Sequence, residues 1–385
     1  MTEQKKDSAL SSADPAQIRY RLSGQSEFLQ HEPGENGDRL RDHLRTSLQM
    51  QHLLVLCGSG TSIEAGGPSM PALWTSAQAL AKFADACNAV SHSGQNIEEF
   101  LSRCDAFLEL TPDDTTVRAV RKGTIETILS ECRKAGQGPS NLVSHKELLK
   151  KFARRRARDS RAKLFTTNYD TCFERAAAEL GLVPIDGFSF TNPRHFDPRF
   201  FEYDIVKRTA SSEVASFVPG VIHYHKLHGS VDWLSRDGRI EVDPHVAAEN
   251  ACLIYPARAK FQRSYEQPHL ELMARYLAAL REPNTCMVVV GFGFNDVHLY
   301  HPILAALRSN PHFRLVVVSR KVGERLADVA ADTPWVELRE LAPQADISFV
   351  ASSFSNFVGL IPDLAALSPA HELEAAVLRI TGKER

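Results

Sequence analysis

Three groups of residues have types and spacing that could do chemistry. The first is Gly58-Ser59-Gly60-Thr61-Ser62, directly after the apolar run Leu53-Leu54-Val55-Leu56-Cys57. Glycines there let a backbone turn sharply and approach a ligand, and a following helix start would turn free N–H groups toward an anion. The second is Asn168-Tyr169-Asp170, after the run Ala162–Thr167. An Asn amide both donates and accepts hydrogen bonds and so can position a hydroxyl or a water. The third is His228-Gly229, after Val221–Leu227. An imidazole with an ordinary pKa of about 6.5 suits proton removal near neutral pH.

Each group also has a structural alternative. The first could be a plain strand-to-helix turn. Asn168 could cap a helix beginning near Thr171. His228 could be a turn residue, or a metal ligand with His223 and His225, which share a strand face. A P-loop is excluded, because no Lys follows the glycines. The common dinucleotide fingerprint is excluded too, because Ile63 stands where its third Gly belongs.

The elements that must position these groups repeat one pattern: an apolar run, small or polar residues, then a helix. Apolar runs of four to seven residues suit strands buried on both faces of a parallel sheet. They begin near residues 53, 162, 221, 286 (Cys286-Met287-Val288-Val289-Val290), 314 (Arg314–Val318) and 347 (Ile347–Val350). The fourth ends in Gly291-Phe292-Gly293-Phe294-Asn295-Asp296 and the fifth at Ser319. Gly291 and Gly293 could bind a ligand or merely relieve crowding at a strand end. Such a pattern predicts an α/β fold with a Rossmann-like, doubly wound, mostly parallel sheet, which binds ligands beyond the carboxyl ends of its strands. Residues spread from 58 to 319 would then meet in one crevice.

Helices are predicted at Asp38–Gln51, from Leu40, Leu44 and Leu48 at i, i+4, i+8, and at Cys172–Leu180, closed by Gly181. Others are predicted at Leu270–Leu280, Phe354–Leu360 and Glu372–Ile380. Residues 72–159 read as an inserted helical subdomain, 184–220 as loop, and the stretch after Ser230 as a polar turn region. Residues 1–38 read as a polar leader, mobile or partly ordered, 39–358 as the main domain and 359–385 as a C-terminal helical segment. The basic run Lys150–Arg158 reads either as a solvated helix end or as a patch for nucleic acid or an acidic partner.

At 385 residues, with 43% apolar and 24% charged residues, the chain can bury a large core. Its formal charge of −2 gives no overall pull toward nucleic acid or anionic membrane. No apolar stretch approaches the roughly 18 residues of a membrane span, and Met1–Asp14 has no secretory signal pattern. The seven cysteines are widely spaced with no Cys-x-x-Cys. That argues for free thiols in a reducing cytoplasm and against a structural zinc ribbon.

Taken together, these blocks resemble the sirtuin family. Its Gly-Ala-Gly-x-Ser opening and later Gly-Ile-Pro step are similar to Gly58-Ser59-Gly60-Thr61-Ser62 and Gly66-Gly67-Pro68. Its Thr-Gln-Asn-Ile-Asp resembles Thr166-Thr167-Asn168-Tyr169-Asp170. Its catalytic His-Gly resembles His228-Gly229, and its late Gly-rich strand end resembles Gly291-Phe292-Gly293. Two departures stand out. The four-cysteine zinc ribbon is missing, with only Cys252 and Cys286 after the His-Gly block. Ser69-Met70-Pro71 stands where the deacylases carry Asp-Phe-Arg. What remains resembles the sirtuin-like NAD-consuming domains of bacterial antiphage defence systems.

The resemblance implies an NAD glycohydrolase that releases nicotinamide and ADP-ribose, with NAD as substrate and no zinc. Asn168 and His228 would be the catalytic pair. Gly58, Ser59, Gly60, Thr61 and Ser62 would hold the pyrophosphate, and Thr167, Asp170, Gly291, Gly293 and Ser319 would complete the NAD site. It further implies a homo-oligomer with a cognate partner such as a HerA-like ATPase or an Argonaute-type protein. A sirtuin-type deacylase or ADP-ribosyltransferase is the first rival. A non-catalytic subunit that senses NAD or ADP-ribose is the second.

Overall fold

The computed structural model describes residues 18–32, 35–138, 142–153, 155, 159–209, 212–253, 267–328 and 333–362. The predicted helix Glu372–Ile380 and most of the predicted C-terminal segment lie outside them.

The apolar runs do become buried strands. β1 is Arg19–Arg21, β2 Leu29–Gln30, β3 His52–Cys57, β4 Lys163–Thr166, β5 Val183–Ile185, β6 Val206–Thr209, β7 Ser212–Phe217 and β8 Val221–Lys226. β9 is Gly229–Arg236, β10 Arg239–Val242, β11 Ala251–Leu253, β12 Thr285–Val290, β13 Phe313–Val318 and β14 Asp346–Ala351. Nine form one sheet in the order β2-β1-β14-β13-β12-β3-β4-β8-β5. From β14 to β5 every pairing is parallel. Successive crossovers from β3 run one way through β4 and the other way through β12. The chain therefore switches direction between β3 and β12, the place where a doubly wound sheet opens a crevice.

Helices cover both faces, which is why the central strands are apolar on alternate and intervening positions alike. On β3, Leu53, Val55 and Cys57 face one core, with α1 (Glu35–Leu48), α7 (Cys172–Leu180) and the helix Phe354–Leu360. Leu54 and Leu56 face the other core, with the helices His269–Leu280, Val297–Ser309, Val322–Ala327 and Pro334–Leu341. α7 ends as predicted at Gly181, which adopts φ 65° and donates its N–H to helix carbonyls.

The insert between β3 and β4 holds α2 (Met70–Gln78), α3 (Phe83–Ala89), α4 (Ile97–Leu110), α5 (Thr115–Lys134) and α6 (Val143–Ala153). α2 to α5 build their own core around Trp74, Phe83 and Phe100, and this core rests on Tyr169, Val231 and Leu253. α6 instead joins the main core through Leu148, Leu149 and Phe152. The helical subdomain thus ends near α5, before the predicted boundary at 159.

Three further stretches gain definition. Within the stretch read as a leader, Arg19–Arg21 pairs antiparallel with β14 and seats Tyr20 in the core. The stretch read as loop contains β5 and the β6–β7 hairpin, and the polar region after Ser230 is a three-stranded sheet, β10-β9-β11. β5 and β11 are only three residues long, whereas β6–β7 and β9–β10 are local hairpins, and the alternation in Arg239-Ile240-Glu241-Val242 was a usable signal. The described cations of the basic run are turned to structural use. Lys150 pairs with Glu147. Lys151 donates to the carbonyls of Val358 and Ile361, both at 2.6 Å. Arg155 donates to the carbonyls of Leu48, Met50 and Gln51 beyond α1. Arg154, Arg156 and Arg158 lie outside the described residues.

Candidate active site

The crevice forms where the β3 and β12 turns meet. Gly58 donates its N–H to Val290 O and Gly60 to Gly291 O, both at 3.0 Å. A Cβ on Gly60 would lie 2.6 Å from Gly291 Cα, and one on Gly58 2.7 Å from Gly291 O. Gly291 itself sits at φ +64° against the Thr61 amide. Only glycine permits this backbone-on-backbone contact. The amides of Gly58 and Gly60, expected to hold a pyrophosphate, are therefore committed to β12, while those of Thr61 and Ser62 bond within their own turn, to Gly58 O and Ser59 O. The glycines supply closeness, and Ser62 and Thr61 supply hydroxyls.

Those hydroxyls orient Asn168. Thr61 Oγ1 donates to Gly58 O at 2.8 Å, and Ser62 Oγ donates to Asp170 Oδ2 at 2.6 Å. With their hydrogens spent, both can only accept, and Asn168 Nδ2 donates to them at 3.1 and 2.8 Å. The amide orientation is thereby forced. Asn168 Oδ1 is left buried with no hydrogen-bond partner among the described residues. A buried acceptor without a partner is costly unless a ligand or water completes it.

Asp170 does two jobs. Besides Ser62 it accepts from the Cys172 N–H at 3.0 Å, capping α7. The capping role considered for Asn168 thus belongs to Asp170. Behind the loop, buried Lys226 donates to the Tyr169 and Asp170 carbonyls and to Glu174 Oε1 at 2.8 Å. Burial opposes that charge, but Glu174, Asp232 and Asp170 outweigh it and raise the Lys226 pKa.

His228 Nε2 lies 2.9 Å from Asp296 Oδ2, with side chains only 10% and 8% exposed. Burial alone would lower the His228 pKa; the bond to Asp296, its charge and that of Glu98 reverse this and hold it above the usual imidazole value. Burial likewise pushes Asp296 up, but His228 holds it below the usual carboxylate range. Asp296 Oδ1 also accepts from His298 N–H at 3.1 Å, which starts the helix Val297–Ser309. The companions on β8 go elsewhere. His225 is sandwiched between Phe165 and Phe201 at ring separations of 4.5 and 4.6 Å. Burial takes its pKa well below 6.5 and lowers that of His223 to about 4. Among the described residues no cluster of three or more His, Cys, Asp or Glu could hold a metal ion.

A cavity of about 160 Å³ opens at these groups. That is smaller than the ~300–1,000 Å³ of a site that engulfs a drug-sized ligand, so it suits one end of a larger molecule. Of the predicted residues, Ser59, Ser62, Thr167, Asn168, Asp170, His228 and Gly293 line it. Gly58, Gly60, Thr61 and Gly291 lie immediately behind. Ser319 lies apart from that lining: its N–H donates to Val350 O and its carbonyl accepts from Val322.

Two lining carboxyls escaped the sequence reading, Asp296 and Glu98. Asp296 ends the Gly291–Asp296 block, so its place at a strand end was a usable signal. Glu98 comes from α4 of the insert, where nothing in the pattern distinguishes it. Its Oε1 accepts from Tyr169 OH at 3.1 Å. Burial first, then the Asp296 charge, raises its pKa to about 7, against the lowering pull of His228 and Tyr169. Cys132 also lines the cavity, but burial and Asp170 push its thiol up to about 12, so it stays protonated.

Fold and site together define a doubly wound α/β protein with an amide, an imidazole and carboxyls gathered at the sheet's switch point. The model of a family described as a SIR2-like domain matches residues 162–332, a segment that includes Asn168, Asp170, His228, Gly291 and Asp296 but not the β3 turn. Similar solved structures include Sir2 in complex with the inhibitor EX-527, 2′-O-acetyl-ADP-ribose and deacetylated p53 peptide. It is 14% identical, with 89% of this chain and 99% of that one covered and a TM-score of 0.42. A Sir2 homologue–NAD complex is 15% identical over 88% of this chain and 94% of that one, with a TM-score of 0.37. Sir2 bound to acetylated peptide is 12% identical over 90% and 99%, with a TM-score of 0.40. Among curated proteins no sequence matches. No helix among the described residues is long and apolar enough to cross a membrane.

Proposed function

We propose that this protein is an NAD glycohydrolase, using water to release nicotinamide and ADP-ribose. The observation that carries the reading is Asn168 Oδ1, a buried acceptor without a partner in the same cavity as the His228–Asp296 pair. NAD would supply a glycosidic bond to a leaving group that is already cationic. The lining suits that charge: Glu98, Asp170 and Asp296 surround the cavity with carboxyls. Asn168 Oδ1 would accept from a ribose hydroxyl or the attacking water and fix its position. His228 would take a proton from a ribose hydroxyl as the glycosidic bond breaks and return it to that oxygen once water has added, while Asp296 orients the ring and stabilises the imidazolium. Ser62 and Asp170 hold Asn168, and Lys226 holds the backbone that carries it.

The resemblance drawn from the motif blocks supports a wider setting. In it the protein is a cytoplasmic, oligomeric, NAD-depleting effector of a bacterial antiphage system, controlled by a HerA-like ATPase or Argonaute-type partner. Product analysis with NAD alone tests the activity. The expected result is equimolar nicotinamide and ADP-ribose, reduced ~10²-fold or more in Asn168→Ala and His228→Ala. Consumption that requires an acylated peptide would identify a deacylase. NAD binding without consumption would identify a sensor.

A further inference from the structure

Three carboxyls line the cavity, and two of them are already engaged with the groups that build it. Asp170 accepts from Ser62 Oγ on one oxygen and Cys172 N–H on the other. Asp296 faces His228 with Oδ2 and caps the next helix with Oδ1. Glu98 differs in coming from the helical insert, and its Oε1 accepts from Tyr169 OH at 3.1 Å. α4 is held in place by Asn96, whose side chain caps Glu98 and Glu99 N–H at 3.0 and 3.2 Å. The α2–α5 core rests on Tyr169, next in sequence to Asn168. A fixed helix therefore brings a carboxyl to the wall of the cavity that Asn168 and His228 also line.

We propose that Glu98 is a further catalytic residue of this site, its carboxylate receiving the proton that the attacking water loses beside Asn168 Oδ1. This rests on the glycohydrolase reading. The balance closes without another reactant. The water oxygen bonds to the ribose carbon, the carbon–nitrogen pair leaves with nicotinamide, one water O–H bond breaks, and its proton goes to Glu98 and then to solvent. The groups facing Glu98 are Tyr169 from the β4 turn, His228 after β8 and Asp296 at the head of the helix Val297–Ser309. Burial first, then Asp296, against the lowering pull of His228 and Tyr169, bring its pKa to about 7, where a base is still substantially ionised and basic enough to act. Because Glu98 sits on the insert, the sheet alone carries an incomplete site.

The test uses the full chain and three forms: wild type, Glu98→Gln and Tyr169→Phe. Carbon-13 NMR of the side-chain carboxyls in the ligand-free protein should show a Glu titrating at about 7 that disappears in Glu98→Gln. NAD cleavage should lose about 10²-fold in kcat in Glu98→Gln, with KM changed only about threefold and the acid limb of the pH profile altered, leaving the part that His228 sets. The Tyr169 phenol favours the ionised carboxyl, so Tyr169→Phe should move both the NMR titration and the acid limb to higher pH. Wild type that leaves NAD intact would sink the glycohydrolase reading, and this proposal with it. Wild type that cleaves NAD while Glu98→Gln keeps its rate and pH profile would overturn the Glu98 role alone. If Glu98→Gln does not fold, an acid limb unmoved in Tyr169→Phe overturns it.

Discussion

The forced orientation of Asn168 makes a stability prediction independent of activity. Asn168→Asp is nearly isosteric, yet it replaces the donor facing Thr61 Oγ1 and Ser62 Oγ at 3.1 and 2.8 Å with an oxygen. Neither hydroxyl can turn to donate without abandoning Gly58 O or Asp170 Oδ2. Asn168→Ala loses two hydrogen bonds at about 1 kcal/mol each and some packing, about 2–3 kcal/mol in all. Asn168→Asp loses at least one of those bonds and also buries an acid beside Asp170. That acid stays protonated in the folded state. Its folded pKa is raised, so stability relative to wild type is retained below the unfolded value of about 3.9 and lost as pH rises toward the folded value, by about 1.4 kcal/mol per unit. At about pH 8 the loss should reach roughly 4–6 kcal/mol, exceeding that of Asn168→Ala. At about pH 5 the order should close or invert, because the protonated acid supplies one donor again. Denaturant melts of the three proteins at the two pH values measure this. Asn168→Asp as stable as Asn168→Ala at the higher pH, or a difference indifferent to pH, would refute the assigned orientation.

Gly60→Ala places a Cβ 2.6 Å from Gly291 Cα, a backbone contact that cannot yield, and should cost ~3 kcal/mol or more or abolish folding. Gly181→Ala, at φ +65° with nothing within 4 Å, should cost only ~1 kcal/mol of backbone strain. Thermal melts in which Gly60→Ala is no worse than Gly181→Ala would contradict the close contact of the two turns. Asp296→Asn removes both terms that raise the His228 pKa most, so the His228 ring proton should titrate at lower pH by NMR. The wild-type pair stabilises the fold in a window. Asp296's part is present above about 3.9 and lost as pH falls through its depressed folded value. His228's part is full below about 6.5 and lost as pH rises through its raised one. Asp296→Asn should flatten stability against pH in that window, and an unchanged curve would show that the two groups do not interact.

Much of the frame was legible along the chain because its cause is local. His52–Cys57, Thr285–Val290 and Phe313–Val318 read as strands because a parallel strand covered on both faces must be apolar at consecutive positions. Asn168 and His228 could be singled out because a doubly wound sheet places its strand ends at one edge. α7 could be bounded to the residue because Gly181 accepts the left-handed conformation that ends a helix.

Other features depended on partners distant in sequence. β1 and β11 are only three residues long, and each is completed by a strand that the chain places elsewhere, β14 and β9. Whether Gly58 and Gly60 offer amides to a ligand was decided by β12, which takes both. The capping role left open for Asn168 went to Asp170 because the two hydroxyls of the β3 turn claimed the amide. Glu98 stands 130 positions before His228 in the chain, on a helix whose pattern records only which face is buried against α2 and α5. A carboxyl's depth, its bond to Tyr169 and the charges around it are properties of packed volume, and periodicity carries no trace of them. The sequence by itself determined which residues stand at the ends of the strands. Only the tertiary structure decided which of their polar atoms remain free to do chemistry, because hydrogen-bond capacity is settled by whichever neighbour packing brings within reach.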